Sequence, residues 1–145
     1  MHTKLTKTDL SYLAGFFDGE GSITICPSST APRSKNPNHI LRVSVGNTNP
    51  TIPKLLQSVF GGSLTIRPAV GNCREVFQWM ISAVKAITFL NAISPYLRMK
   101  TPQYTVAKEF QDSRKMRGPH PVSMKELIWR EKQRIKLRKL NGRNP

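Results

Sequence analysis

The sequence predicts one α+β domain in which helices cover one face of a four-stranded, curved antiparallel sheet. Three observations predict it. The hydrophobic period changes between helical and strand spacing in the order helix, two strands, helix, two strands, helix, with more helix beyond. Each strand alternates apolar with polar residues, so each has one face for a core and one for solvent or a ligand. The chain has 145 residues, 38% of them hydrophobic, which is enough for one compact core.

The first helix is expected from about Thr8 to Asp18, because Leu10, Leu13, Ala14 and Phe17 share one helical face. Gly19 and Gly21 read as its C-terminal turn. "SITIC" then sets Ile23 and Ile25 against Ser22, Thr24 and Cys26, and "HILRVSV" sets Leu41, Val43 and Val45 against Ile40, Arg42 and Ser44. The connection between them is a long loop of Pro, Ser and Asn, made basic by Arg33 and Lys35. For the second helix Asn49 is the expected N-cap, Pro50 the first helical residue and Gly61 the terminator, with Ile52, Leu55, Leu56 and Val59 as its apolar stripe. "SLTIR" places Leu64 and Ile66 opposite Thr65 and Arg67; "EVFQWMI", extended backward by parity, places Phe77, Trp79 and Ile81 opposite Arg74, Gln78 and Met80. A third helix runs from about Val84 to Ala92 and stops at Ser94-Pro95, and a fourth covers about Gln103 to Met116. These elements make a core domain over 1–117. "GPHP" at 118–121 is a linker. Residues 122–145 form a basic C-terminal helix and tail, opened by the capping box "SMKE" with Ser123 as N-cap and Glu126 at the third position. Met124, Leu127, Ile128 and Ile135 are the apolar stripe expected to lay that helix on the core.

Charge narrows the function. Lys plus Arg is 23 and Asp plus Glu is 8, a formal net charge of +15. Such an excess points to a polyanionic partner, nucleic acid first, although a ribosomal protein would share it. The two cysteines, Cys26 and Cys73, lie far apart in no metal-type spacing, which argues against a zinc site and for a reducing, intracellular compartment, organelle or bacterial cytoplasm alike. The apolar run "YLAGFF" is too short for a membrane span, so no membrane association is expected. The polar sheet face carries hydrogen-bonding side chains and almost no acid. Thr24, Cys26, Ser28, Asn38, Arg42, Ser44, Thr65, Arg67, Arg74 and Gln78, with Arg33 and Lys35 from the loop, are the expected contacts to double-stranded DNA in its major groove.

The stretch "LAGFFDGEG", Leu13 to Gly21, poses a separate question. Asp18 and Glu20 sit where a helix dipole is already negative. A solvated helix end accounts for them; so does a divalent cation, held by Glu20 and the Gly19 carbonyl with water and phosphate oxygens completing its shell. The stretch resembles the LAGLIDADG motif of the homing endonuclease family, matching it at Leu13, Ala14, Gly15, Asp18 and Gly21, with Glu20 at the motif's metal-binding acid. The resemblance implies the αββαββα core of that family and a Mg²⁺-dependent double-strand DNA endonuclease of homing type. With one motif in the chain, it implies a homodimer through the motif helix, with Leu13, Ala14, Gly15 and Phe17 at the contact. It also implies Asn47 as the residue that positions water and Lys100 as an active-site lysine; a basic group near the start of the second helix is uncertain between Thr51 and Lys54. A maturase of the same fold, binding intron RNA, and a non-catalytic basic DNA-binding protein are the alternatives.

Overall fold

A computed structural model describes residues 4–28, 38–115 and 123–142. The elements run α1 (Lys7–Glu20), β1 (Gly21–Ser28), β2 (Asn38–Asn47), α2 (Thr51–Phe60), β3 (Ser63–Arg67), β4 (Val76–Ser82), α3 (Ala83–Ile93), a 3-10 turn (Ser94–Tyr96), α4 (Thr101–Lys115) and α5 (Met124–Leu140). The four strands form one antiparallel sheet in the order β1-β2-β4-β3. The helices lie on one face, and the α+β fold expected from the period changes is the fold observed. The "GPHP" linker, Arg33 and Lys35 fall outside the described residues.

α1 starts earlier and ends later than the apolar spacing suggests. Its N-cap is Thr6, whose hydroxyl accepts from the Asp9 N–H at 3.1 Å while Asp9 Oδ2 accepts from the Thr6 N–H at 2.8 Å. These bonds hold the Asp9 carboxyl below its ordinary pKa. At the other end Gly19 is helical, and Gly21 has an extended backbone, φ −86°, as the first residue of β1. Neither supplies a left-handed turn. Gly21 answers a steric demand instead: a Cβ there would lie 2.1 Å from the Phe17 ring, which is buried and packed edge-on against Phe89. Helix and strand can therefore follow each other with no loop between them.

The core lies between sheet and helices. Ile23, Ile25, Leu41, Val43, Val45, Trp79 and Ile81 are buried on the inner sheet face. They meet Leu13, Ala14 and Phe17 of α1, Phe89 and Leu90 of α3, and Val106 and Phe110 of α4. Phe89 is the centre, with Phe17, Phe60 and Trp79 all edge-on to it at centroid distances of 5.4, 4.9 and 5.1 Å. Trp79 Nε1 donates to the Gly61 carbonyl at 2.7 Å, so the buried indole keeps its hydrogen bond. Gly61 ends α2 at φ +77° as expected, and Gly62 follows at φ +94°, where a Cβ would lie 2.3 Å from Ile81. α2 itself begins at Thr51; Asn49 Oδ1 does accept the Thr51 N–H at 3.0 Å, but Pro50 is the capping position rather than the first helical residue. On β3 the expected inward pair divides: Leu64 is half-buried, while Ile66 is 55% exposed because that end of the edge strand runs past the helices.

α5 packs on α4 and along β1, on a face that takes only part of the expected stripe: Leu127 and Ile135 are half-buried. Arg130 and Leu137 are buried, whereas Met124 and Ile128 point to solvent. Arg130 Nη2 pairs there with Glu126 at 2.7 Å, while its buried Nε and Nη1 have no hydrogen-bond partner among the described residues. Ser123 caps the helix as expected, accepting from the Glu126 N–H at 3.2 Å. At its far end Asn141 Nδ2 donates to the Ile23 carbonyl at 2.9 Å, on the outer edge of β1. Midway, Glu131 accepts from Arg134 Nε at 2.9 Å and pairs with the buried His39 Nε2 at 2.9 Å, joining α5 to the start of β2.

That junction has a pH signature. The hydrogen bond from Arg134, with His39 adding to it, holds the Glu131 carboxyl below its ordinary 4.5, down to about 2. Between those values the unfolded chain binds a proton that the folded chain does not, so stability from this group is complete above pH 4.5 and drains away as pH falls toward 2. Urea unfolding at stepped pH should show that decline in wild type and a shallower one in Glu131→Gln. Equal slopes would remove Glu131 from the acid response.

Candidate nucleic-acid interface and active site

The outer sheet face forms a single open trough of about 750 Å³. Its lining residues are Glu20, Ser22, Thr24, Cys26, Arg42, Ser44, Gly46, Asn47, Thr48, Arg67, Val76 and Gln78. Register explains the set. Thr24 pairs with Arg42, Ser22 with Ser44, and Gly46 with Gln78, which in turn pairs with Thr65. Paired residues share a face, so one alternation error would have turned a whole strand over. The structure thus gathers Thr24, Cys26, Arg42, Ser44, Arg67 and Gln78 in the trough, with Thr65 on the same face. Ser28 and Asn38 pair with each other at the outer end of the hairpin. Arg74 is different. It precedes β4 in the hairpin loop and lines a second hollow with Thr48, Asn49, Pro50, Glu75 and Phe77. Strand parity carried it too far back, because β4 begins only at Val76.

The two acids of the motif do separate jobs. Glu20, the last residue of α1, is exposed and is the one acid among the trough's lining residues. Asp18 is 7% exposed and faces the other way. Its Oδ2 accepts the Arg98 N–H at 2.9 Å, and its Oδ1 accepts the Met99 and Lys100 N–H groups at 3.2 and 3.0 Å. Three backbone donors just ahead of α4 thus hold one buried carboxylate. Lys100 Nζ in turn donates to the Asp18 carbonyl at 2.9 Å, placing an ammonium on the C-terminal end of α1. The negative helix end is therefore met by a lysine from 82 residues away in sequence. Sequence reasoning named Glu20 and Lys100 and missed Asp18 as their link; the acid two residues before Glu20 was the available signal.

Asn47 lines the trough, and its Oδ1 accepts the Asn49 N–H at 2.8 Å. Its carboxamide oxygen is thus committed to the turn into α2. Thr51 and Lys54 stand in α2, and Lys54 Nζ lies 5.9 Å over the Phe77 ring. Of the four residues expected at a helix–helix contact, Leu13, Ala14 and Phe17 are buried in the chain's own core, since they form the inner stripe of α1. Gly15 is on the outer face, as is Gly19, and a Cβ added at either meets nothing within 4 Å. Tyr12, 61% exposed and stacked on Phe16, shares that surface.

Among the described residues no group of three or more His, Cys, Asp or Glu could hold a metal ion, and no helix is long and apolar enough to cross a membrane. Chemically, the trough offers a concave surface of donors for a polyanion, with one carboxylate at its end.

No family model matches the chain. A DNA endonuclease of Chlamydomonas reinhardtii, I-CreI, is 31% identical over 107 residues, which are 71% of this chain and 62% of the relative's length. Among solved structures, an archaeal intron-encoded homing endonuclease complexed with DNA, I-Vdi141I, superposes with a TM-score of 0.73 at 19% identity, covering 92% of this chain and 84% of the other. The homing endonuclease I-CvuI, in complex with a DNA target in the presence of magnesium, gives 0.60 at 16% identity over 93% and 96%. RNA figures in none of these three.

Proposed function

We propose that the chain, which carries the LAGLIDADG motif on the fold of the homing endonucleases, is a site-specific DNA endonuclease making metal-dependent double-strand breaks at a long, roughly palindromic target. Glu20 carries the reading, as the one acid lining an otherwise basic and polar trough. A protein that only bound DNA would gain nothing from a carboxylate aimed at phosphate. The donors of Arg42, Arg67 and Gln78 suit base edges in a major groove, and the net charge suits the backbone.

Glu20 fits a hard divalent cation. It is an exposed carboxylate offered singly, and Mg²⁺ commonly takes one or two carboxylates with water and phosphate oxygens for the rest. Glu20 and the Gly19 carbonyl would hold the ion, which when bound supplies an activated water and neutralises the phosphate. Lys100, fixed on the end of α1, would stabilise negative charge developing on the phosphate. Asn47 would orient water through its amide nitrogen, its oxygen being held by the turn.

The active unit in this reading is a homodimer. Among the described residues nothing lies within 4 Å of a Cβ added at Gly15 or Gly19, and a second copy of α1 crossing there would use that space. A two-fold axis through that contact gives the unit two Glu20 carboxylates, one for each DNA strand, and a target with matching symmetry.

The test is incubation with a randomised plasmid library in Mg²⁺ and in EDTA. Linear products in Mg²⁺ alone, with ends mapping to one pseudo-symmetric sequence, are the expected result. Failure to linearise any plasmid, or cutting that persists in EDTA, would refute the proposal.

A further inference from the structure

Three side chains on the DNA-facing side of the sheet are apolar. Ile40, Met80 and Val76 share the face of Arg42, Ser44 and Gln78, as alternation along β2 and β4 requires. All three are half-buried, whereas their neighbours Leu41, Trp79 and Ile81 on the inner face are fully buried. The core does not need them, because the helices lie on the other side.

Their cross-strand neighbours are mostly short, so each is only partly covered. Met80 pairs with Ser44 on one side and Ser63 on the other, and Ser44 pairs with Ser22. A flexible thioether flanked by short hydroxyl side chains stands above them. Val76 lines the trough near Gly46, where even an added Cβ would lie 3.6 Å from Val76 Cγ1; the glycine leaves Val76 open. Ile40 pairs with Cys26 near the hairpin end. In register the three are four residues apart in turn, about 13 Å.

We infer that Met80, with Val76 and Ile40, reads thymine by contact with its C5-methyl group, so that the sheet recognises 5-methylpyrimidine positions as well as hydrogen-bonding edges. The methyl is the one apolar group that a base pair presents in the major groove, and apolar side chains are its natural complement. This rests on the proposal that the sheet reads DNA. It adds that some positions of the target are specified by a methyl group rather than by donors and acceptors.

The test uses the full-length protein and the target selected from the library above. Each thymine of the target is replaced in turn by uracil, which removes the methyl and keeps every hydrogen-bonding group, and binding is measured by anisotropy in EDTA at fixed salt. Wild type should lose roughly fourfold in affinity at one to three thymines per half-site, the worth of one buried methyl-sized group. Met80→Ser should bind the thymine target as weakly as wild type binds one of the uracil targets, and should no longer respond to uracil at that position. Met80→Leu should keep the response. A target that wild type prefers, yet in which every uracil is neutral, overturns this inference and leaves the endonuclease reading standing. So does Met80→Ser retaining every uracil response. A wild-type protein with no preferred DNA sequence overturns both.

Discussion

Glu20→Gln should abolish cleavage, by on the order of 1000-fold or more, while leaving binding in low-salt buffer nearly unchanged. The carboxylate is one of the trough's lining residues, and in the proposed reading the affinity would come from the basic and polar residues around it. Glutamine keeps the size and loses the charge, so it can fill the site without holding a divalent cation as a carboxylate does. Removing an acid from a surface that faces phosphate also removes repulsion, so binding should hold or tighten slightly. Single-turnover cleavage in Mg²⁺ and equilibrium binding in EDTA, on the same target, separate the two effects. A variant that nicks DNA at the wild-type rate would take Glu20 out of the active site.

Asp18→Ala should cost about 3–5 kcal/mol of stability, because it removes a buried carboxylate on which three backbone donors depend. It would strand the N–H groups of Arg98, Met99 and Lys100, all three of which Asp18 now accepts. Asp18→Asn should cost less, since its oxygen can still accept from Met99 and Lys100 while its NH₂ opposes the Arg98 donor. Lys100 is placed by the same contact, so both variants should also slow cleavage beyond what unfolding explains, measured well below the unfolding midpoint. Unfolding free energies from urea titrations of the two variants within about 0.5 kcal/mol of wild type would mean that the amides find other partners.

Much of this was legible in the residues, and the misses share a cause. Strand faces followed from alternation, so Thr24, Arg42, Ser44, Arg67 and Gln78 were placed on one surface before any coordinates. Asp18 was legible as an acid but not as a buried one, because its partners are backbone groups 80 to 82 residues away. The same limit hid α5. Met124 and Ile128 are apolar yet exposed, while Arg130, paired with Glu126, lies inside, which hydrophobicity does not mark. Leu13, Ala14 and Phe17 are apolar residues expected at a partner's helix, and the chain's own core takes them, because the apolar stripe of α1 is its inner face. Arg74 lies ahead of β4 and Ile66 near the end of β3, where alternation no longer marks a face.

The bond from Asn141 to the Ile23 carbonyl has a consequence for how copies of this chain can meet. β1 is eight residues long and lies at the margin of the sheet, where an uncovered strand would serve as a template for adding strands from other molecules. α5 lies along that margin and occupies one of its outward carbonyls. The opposite margin is β3, five residues long and ending in Arg67, too short and too charged to seed such growth well. A chain that loses its last helix would therefore lose its guard against polymerisation together with the Leu137 and Trp129 side of its core, and its solubility should fail while the four strands can still pair.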